Sequence, residues 1–243
     1  MGGYDAHTHL DFPGLSADAP DRARALGIDG WCIAAADPCH WSRVVQTAER
    51  TGAHLALGVH PWFADANIHR IEPLLAECIA NSPLDALGEL GLDRGYPGLD
   101  STQPAVARAQ LALARDRDLP VVLHCVGAHG ALLTLLKADG LPSRGGLLHG
   151  FIGAPELARR YTELGLHISF GPRSLRSPRT LAAFQDTDPS LRLLETDAPD
   201  GAPEPAALLG LAEQLTAHIA PSTAALLAQT GANARTLFPR VLR

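Results

Sequence analysis

Short apolar runs alternate with longer amphipathic stretches from one end of the chain to the other, and few folds accept that pattern. The strand candidates are "YDAH" (4–7), "GWCIAAA" (30–36), "HLALGVH" (54–60), "DALGEL" (85–90), "PVVLH" (120–124), "GGLLHG" (145–150), "HISFG" (167–171) and "LRLLETD" (191–197). Helical periodicity fills 38–52, 67–81, 102–118, 127–139, 153–165, 176–186, 203–219 and 221–237. Strand–helix units repeated about eight times predict a parallel sheet, and eight of them favour closure into an α/β (β/α)8 TIM barrel. An open nucleotide-binding sheet wants a glycine-rich turn after its first strand, where this chain has His-Thr-His. No Pro/Ser-rich linker or low-complexity tract interrupts the 243 residues, so 1–243 is read as one barrel domain. Its active site is expected at the C-terminal ends of the strands.

Polar residues collect at those ends. Side chains two apart on a strand share a face, so His7 and His9 point the same way. Glu89 closes the fourth strand, His124 the fifth, His149 the sixth and Asp197 the eighth. Taken singly, Glu89 reads as an ion-pair partner and Asp197 as a helix N-cap. Together, four imidazoles and two carboxylates on one rim make a nitrogen/oxygen ligand set suited to Zn2+, Mn2+ or Mg2+. His54 and His167 read as hydrogen-bonded surface residues, and His40, His69 and His218 as solvated ones. Cys125, next to His124, should face the other side of its strand and pack.

Charge limits the partners. Acidic residues number 26 against 20 basic ones, a net charge of −6, whereas a protein that grips nucleic acid through its phosphates carries a basic face. A polyanionic substrate therefore needs a local positive feature, such as metal ions or a few arginines. Arg173, Arg176 and Arg179 in "GPRSLRSPR" are candidates to clamp flanking phosphates. Cys32, Cys39, Cys78 and Cys125 form no CxxC pair, and "MGGYDAHTHL" has no basic and apolar leader pattern. Reduced thiols, a cytoplasmic location and no membrane partner are expected.

These motifs resemble the TatD family of metal-dependent hydrolases, within the amidohydrolase superfamily. "YDAHTHLD" is similar to the family's opening Asp-x-His-x-His-Leu-Asp. "GVHP" (58–61), "GELGLD" (88–93), "LHC", "LLHGF", "LETDAP" (194–199), "EPAAL" (204–208) and "TGANARTLF" (230–238) follow in the family's order. The resemblance implies that His7, His9 and Asp197 hold one divalent ion, that His124 and His149 hold a second, and that Glu89 bridges them. It places His60 near the substrate. Some superfamily members bridge two metals with a carbamylated lysine; Lys137, the only lysine, lies in an expected helix, which leaves the bridge to Glu89.

Two ions sharing a water make a nucleophile near neutral pH, with Asp197 positioned to take or relay its proton. The activity this implies is a phosphodiesterase, a 3′→5′ exonuclease on short or single-stranded DNA. A metal-dependent amidohydrolase or esterase acting on a small substrate is the alternative. A third possibility is a metal-binding barrel that serves as a partner subunit with little activity of its own. The substrate side departs from the family pattern. His124-Cys125-Val126 stands for His-x-Arg, "HGFIG" for His-Cys-Phe-x-Gly, and Arg94 and Asp200 stand at positions that are often aromatic. Only Asp200-Gly201-Ala202-Pro203 separates "ETDAP" from "EP". The ligand set is complete while the DNA-facing loops are pared down.

Overall fold

The computed structural model describes residues 2–64, 73, 75, 77, 84–219 and 222–238. The expected helix at 67–81 lies outside them except at positions 73, 75 and 77, and His69 and Cys78 lie outside them as well. Eight strands run side by side in sequence order. They are β1 (Gly3–Thr8), β2 (Ile28–Ala34), β3 (His54–Leu57), β4 (Ala86–Asp93), β5 (Val121–Val126), β6 (Gly146–Leu148), β7 (Leu166–Phe170) and β8 (Arg192–Leu194). Every adjacent pair is parallel. The chain beyond β8 returns to β1: the Asp197 amide donates to the His7 carbonyl at 3.0 Å, and the His9 amide to the Ala198 carbonyl at 2.8 Å. The sheet is thereby a nearly closed (β/α)8 barrel, as the alternating pattern predicts.

Among the described residues the helices are α1 (Ala19–Ala25), α2 (Trp41–Thr51), α3 (Thr102–Arg117), α4 (His129–Asp139), α5 (Pro155–Thr162), α6 (Pro178–Asp186), α7 (Leu208–Thr216) and α8 (Thr223–Leu237). α1 was not expected: its seven residues are too short to show a helical period. Gly52 ends α2 in the left-handed region at φ 68°, where a glycine pays no steric penalty. No described helix is long and apolar enough to cross a membrane.

Two apolar layers hold the fold. Leucine- and isoleucine-rich strand faces pack outward against the helices, through residues such as Ile33, Leu55, Leu90, Leu123 and Ile168. The inner cluster combines the small Ala6, Cys32, Ala34, Ala56 and Ala86 with Tyr4, Val122, Leu147 and Leu193, and Leu237 and Phe238 of the C-terminal segment pack against them. Interior-filling layers of this kind leave a packed core and put chemistry at the rim.

Strict alternation from Tyr4 and Ala6 would turn His7 away from the lumen. It does not, because the β1–β2 register is irregular between Asp5 and Thr8, and the β4–β5 register is irregular between Gly88 and Leu90. Each irregularity changes the parity of its strand and brings His7 and Glu89 onto the inner face. Gly91 (φ 151°) lets β4 and β5 approach: a Cβ there would stand 1.9 Å from the His124 carbonyl oxygen.

Candidate metal centre

Glu89 and His124 do not close their strands as expected, since β4 runs on to Asp93 and β5 to Val126. They come together with His7 in β1 and with His9, His149 and Asp197, which lie just past β1, β6 and β8. Glu89 lies at the middle of this group, almost wholly buried. Its Oε1 is 3.6 Å from the Nε2 atoms of both His7 and His9. Its Oε2 is 2.9 Å from His149 Nε2 and 3.6 Å from His124 Nδ1. Asp197 Oδ1 closes the first group, 3.7 Å from His7 Nε2 and 3.5 Å from His9 Nε2. In the second group His124 Nδ1 and His149 Nε2 are 2.9 Å apart. Asp197 sits three residues past β8 with φ 50°, a conformation that aspartate tolerates better than most residues.

The electrostatics follow from burial opposed by neighbours. Burial alone would push Glu89 up, but the His7 and His149 imidazoles, with hydrogen bonds from His124 and His149, hold it well below the usual carboxylate range. Burial also works against ionised Asp197; the His9 hydrogen bond and the His149 and His7 rings outweigh it and bring the carboxyl to about 2. His7 is pushed well below the ordinary imidazole value by its burial and by His149, so it stays neutral.

A divalent ion suits this donor set. Both ring nitrogens of His7 are buried without a hydrogen-bond partner, a cost that a polar group bears only where something else satisfies it. His9 Nδ1 lies 2.9 Å from the Ala34 carbonyl. Against its burial, the Asp197 hydrogen bond and the Glu89 and Asp197 carboxylates raise the ring to about 9, and an ion that displaced the Nε2 proton would meet that nitrogen's lone pair beside both carboxylates.

A cavity of about 450 Å3 opens over the cluster, lined by His9, Glu89, His124, His149 and Asp197, and also by His60 and Arg173. His60 precedes the short turn Pro61–Phe63, and its Nδ1 accepts the Trp62 amide proton at 3.2 Å. Its Nε2 is 3.9 Å from Glu89 Oε2. Burial lowers the His60 ring to about 3, so it is neutral, with its proton on the Nε2 that faces the site. Arg176 and Arg179 are exposed, Arg176 on the same turn as Arg173 (Pro172–Arg176) and Arg179 in α6, and neither lines the cavity.

Other histidines fall elsewhere. His54, expected at the surface, is buried against Tyr4, whose hydroxyl is 2.6 Å from its Nδ1; the Tyr4 and Phe238 side chains cover it. His40 is solvent-exposed as expected, yet it lines the cavity mouth. Cys125 packs beside the Tyr161 hydroxyl.

Two carboxylates that sequence reasoning missed belong to the site. Glu195 is fully buried; its Oε1 accepts the Gly150 amide at 2.6 Å and lies 3.7 Å from His149 Nδ1. Asp93 Oδ2 is 3.4 Å from His124 Nε2. Their one signal in the sequence is proximity to expected ligands, Glu195 two positions before Asp197 and Asp93 four after Glu89.

The profile of the family described as TatD related DNase matches residues 4–239. This chain belongs to that family. The "Uncharacterized metal-dependent hydrolase YjjV" of Escherichia coli K12 is 34% identical to it, over 81% of this chain and 79% of its own length. The "3'-5' ssDNA/RNA exonuclease TatD" of Klebsiella pneumoniae strain 342 is also 34% identical, over 97% of each chain. The crystal structure of YjjV, described as a TatD homolog, superposes with a TM-score of 0.90 at 29% identity, covering 97% of both chains. As a TatD-family protein the chain is a metal-dependent hydrolase.

Proposed function

We propose that this TatD-family hydrolase cleaves phosphodiester bonds of short or single-stranded DNA, releasing nucleotides from the 3′ end, and that it uses two divalent ions. The observation that carries the reading is Glu89, whose two oxygens face two separate groups of imidazoles. His7, His9 and Asp197 would hold one ion, His124 and His149 the other, with Glu89 between them. Bound there, Zn2+, Mn2+ or Mg2+ would supply water activation and charge neutralisation at phosphorus.

The chain's own residues do the rest. Asp197, a carboxylate throughout the neutral range, takes the proton of the attacking water. His60 directs its Nε2–H into the cavity and can donate to a phosphoryl oxygen. Glu195 orients His149 through the ring nitrogen opposite the one that faces Glu89. Arg173 meets the phosphate on the cavity wall, and Arg176 engages the strand farther out. The relative named as a single-stranded DNA/RNA exonuclease supports this substrate class. The free thiols of Cys32, Cys39 and Cys125 suit a cytoplasmic location.

One observation favours a small amide or ester instead: Asp11, Asp37 and Asp200 line the same cavity, and Arg43 is paired to Asp11 at 3.2 Å. The deciding experiment measures bound metal and then follows labelled single-stranded DNA beside generic esters and amides, with and without EDTA. A nucleotide ladder that chelation abolishes is the expected result. Ester or amide turnover without DNA cleavage overturns the nuclease reading, and bound metal without any turnover points to a non-catalytic barrel.

A further inference from the structure

Beyond the ligand cluster, three rings form a continuous path from solvent to the His124 imidazole. Tyr96 stacks on Trp62 with centroids 4.7 Å apart and planes 22° from parallel. Trp62 meets His60 at 4.7 Å and a near-perpendicular angle, and His60 meets His124 at 4.1 Å. Trp62 lines the cavity and is 44% exposed, whereas Trp31 and Trp41 are buried. Phe12 and Phe63, also exposed, line the same mouth.

Leaving an indole open to water forfeits apolar burial, yet this one is held in place. Its Nε1–H donates to Asp93 Oδ2 at 2.7 Å. Asp93 Oδ1 accepts the Gly95 amide at 2.7 Å. Gln103, fully buried, fixes the loop from below: its Oε1 accepts the Asp93 amide at 2.8 Å, and its Nε2 donates to the carbonyls of Asp93, Tyr96 and Pro97. The ring plane is therefore set before any ligand arrives, which removes an ordering cost from binding.

We propose that Trp62, backed by Tyr96 and pinned by Asp93, is a stacking platform for a nucleobase, and that the nucleotide beside the scissile phosphate is gripped through its base. The proposal rests on the phosphodiesterase reading and adds to it where affinity comes from. Asp11, Asp37 and Asp200 at the mouth weaken the grip that Arg173 and Arg176 give to phosphates, while a stacked ring is electrically neutral and indifferent to base identity. The short loops around the rim suit a grip on one or two nucleotides.

Tryptophan fluorescence tests the platform without turnover, since Trp31 and Trp41 are shielded. The full chain is titrated with thymidine 5′-monophosphate and, in parallel, with deoxyribose 5-phosphate, which carries the same phosphate and no base. Quenching by the first only, lost in Trp62→Phe, is expected; equal responses to the two overturn the proposal. In kinetics, Trp62→Ala should raise KM for an oligonucleotide with an intact 3′-terminal base about 10-fold more than for its abasic counterpart, and Trp62→Phe should recover most of that difference. Equal KM changes for both substrates overturn it as well. DNA cleavage with no base-dependent signal removes the platform and leaves the nuclease reading standing. Base-dependent quenching without DNA cleavage does the reverse.

Discussion

His149 Nε2 sits 2.9 Å from Glu89 Oε2, and the other oxygen of that carboxylate faces His7 and His9. One side chain thus serves two groups of donors, and its removal should undo both. Glu89→Ala is expected to lower turnover by at least about 100-fold and to reduce the metal kept after dialysis, measured by elemental analysis alongside circular dichroism to check the fold. Full activity in this variant rejects the two-ion arrangement.

The seam between the first and last strands depends on Asp5. Fully buried, it accepts the Thr196 amide at 2.9 Å and the Thr196 hydroxyl. Burial, opposed by these two bonds, raises its carboxyl to about 8, so at neutral pH it is largely uncharged. Asp5→Ala leaves two buried donors unsatisfied and should cost about 3 kcal/mol, a drop in Tm on the order of 10 °C. Asp5→Asn, neutral and still an acceptor, should cost much less. Equal losses in calorimetry would contradict this account.

Arg173 lines the cavity and Arg176 does not. Charge reversal of Arg173 should therefore raise KM for single-stranded DNA several-fold, about 1 kcal/mol or more of lost binding. Reversal of Arg176 should do less, and its effect should fade as salt is added. A larger effect at Arg176 would place the strand on the outer face of the turn.

His129, in α4, is half-buried with its Nδ1 2.9 Å from the Tyr161 hydroxyl, and burial lowers its pKa. In the unfolded chain a histidine titrates near 6.5. Between its folded value and that one the unfolded state binds more protons. Its contribution to stability is therefore complete above about pH 6.5 and is lost as pH falls below it. Melting curves of the parent and His129→Gln should show the parent losing ground to the variant between about pH 7.5 and pH 5.5. Parallel curves would refute the assignment.

Much of the site was legible because polar residues stand out against apolar runs. His149 and Asp197 follow such runs and Glu89 and His124 interrupt them within β4 and β5, and the barrel gathers these positions at one rim. What stayed hidden were features without a sequence period. α1 is too short to show one, and His54 is buried only because Tyr4 and Phe238 reach it from opposite ends of the chain. The expected strands at 54–60 and 191–197 end earlier, at Leu57 and Leu194. Thus His60 and Asp197 are held by loop backbone rather than by a strand. The register shifts that turn His7 and Glu89 inward depend on partner strands and leave no local trace. Asp93 and Glu195 were masked by neighbours already assigned a task.

The joint where the Asp197 and His9 amides cross between β1 and the segment after β8 runs directly past the candidate metal ligands. During synthesis His7 and His9 precede Glu89 by some eighty residues and Asp197 by nearly two hundred. A copy that stops short of the loop after β8 therefore lacks one of the six candidate donors, and that loop completes the set.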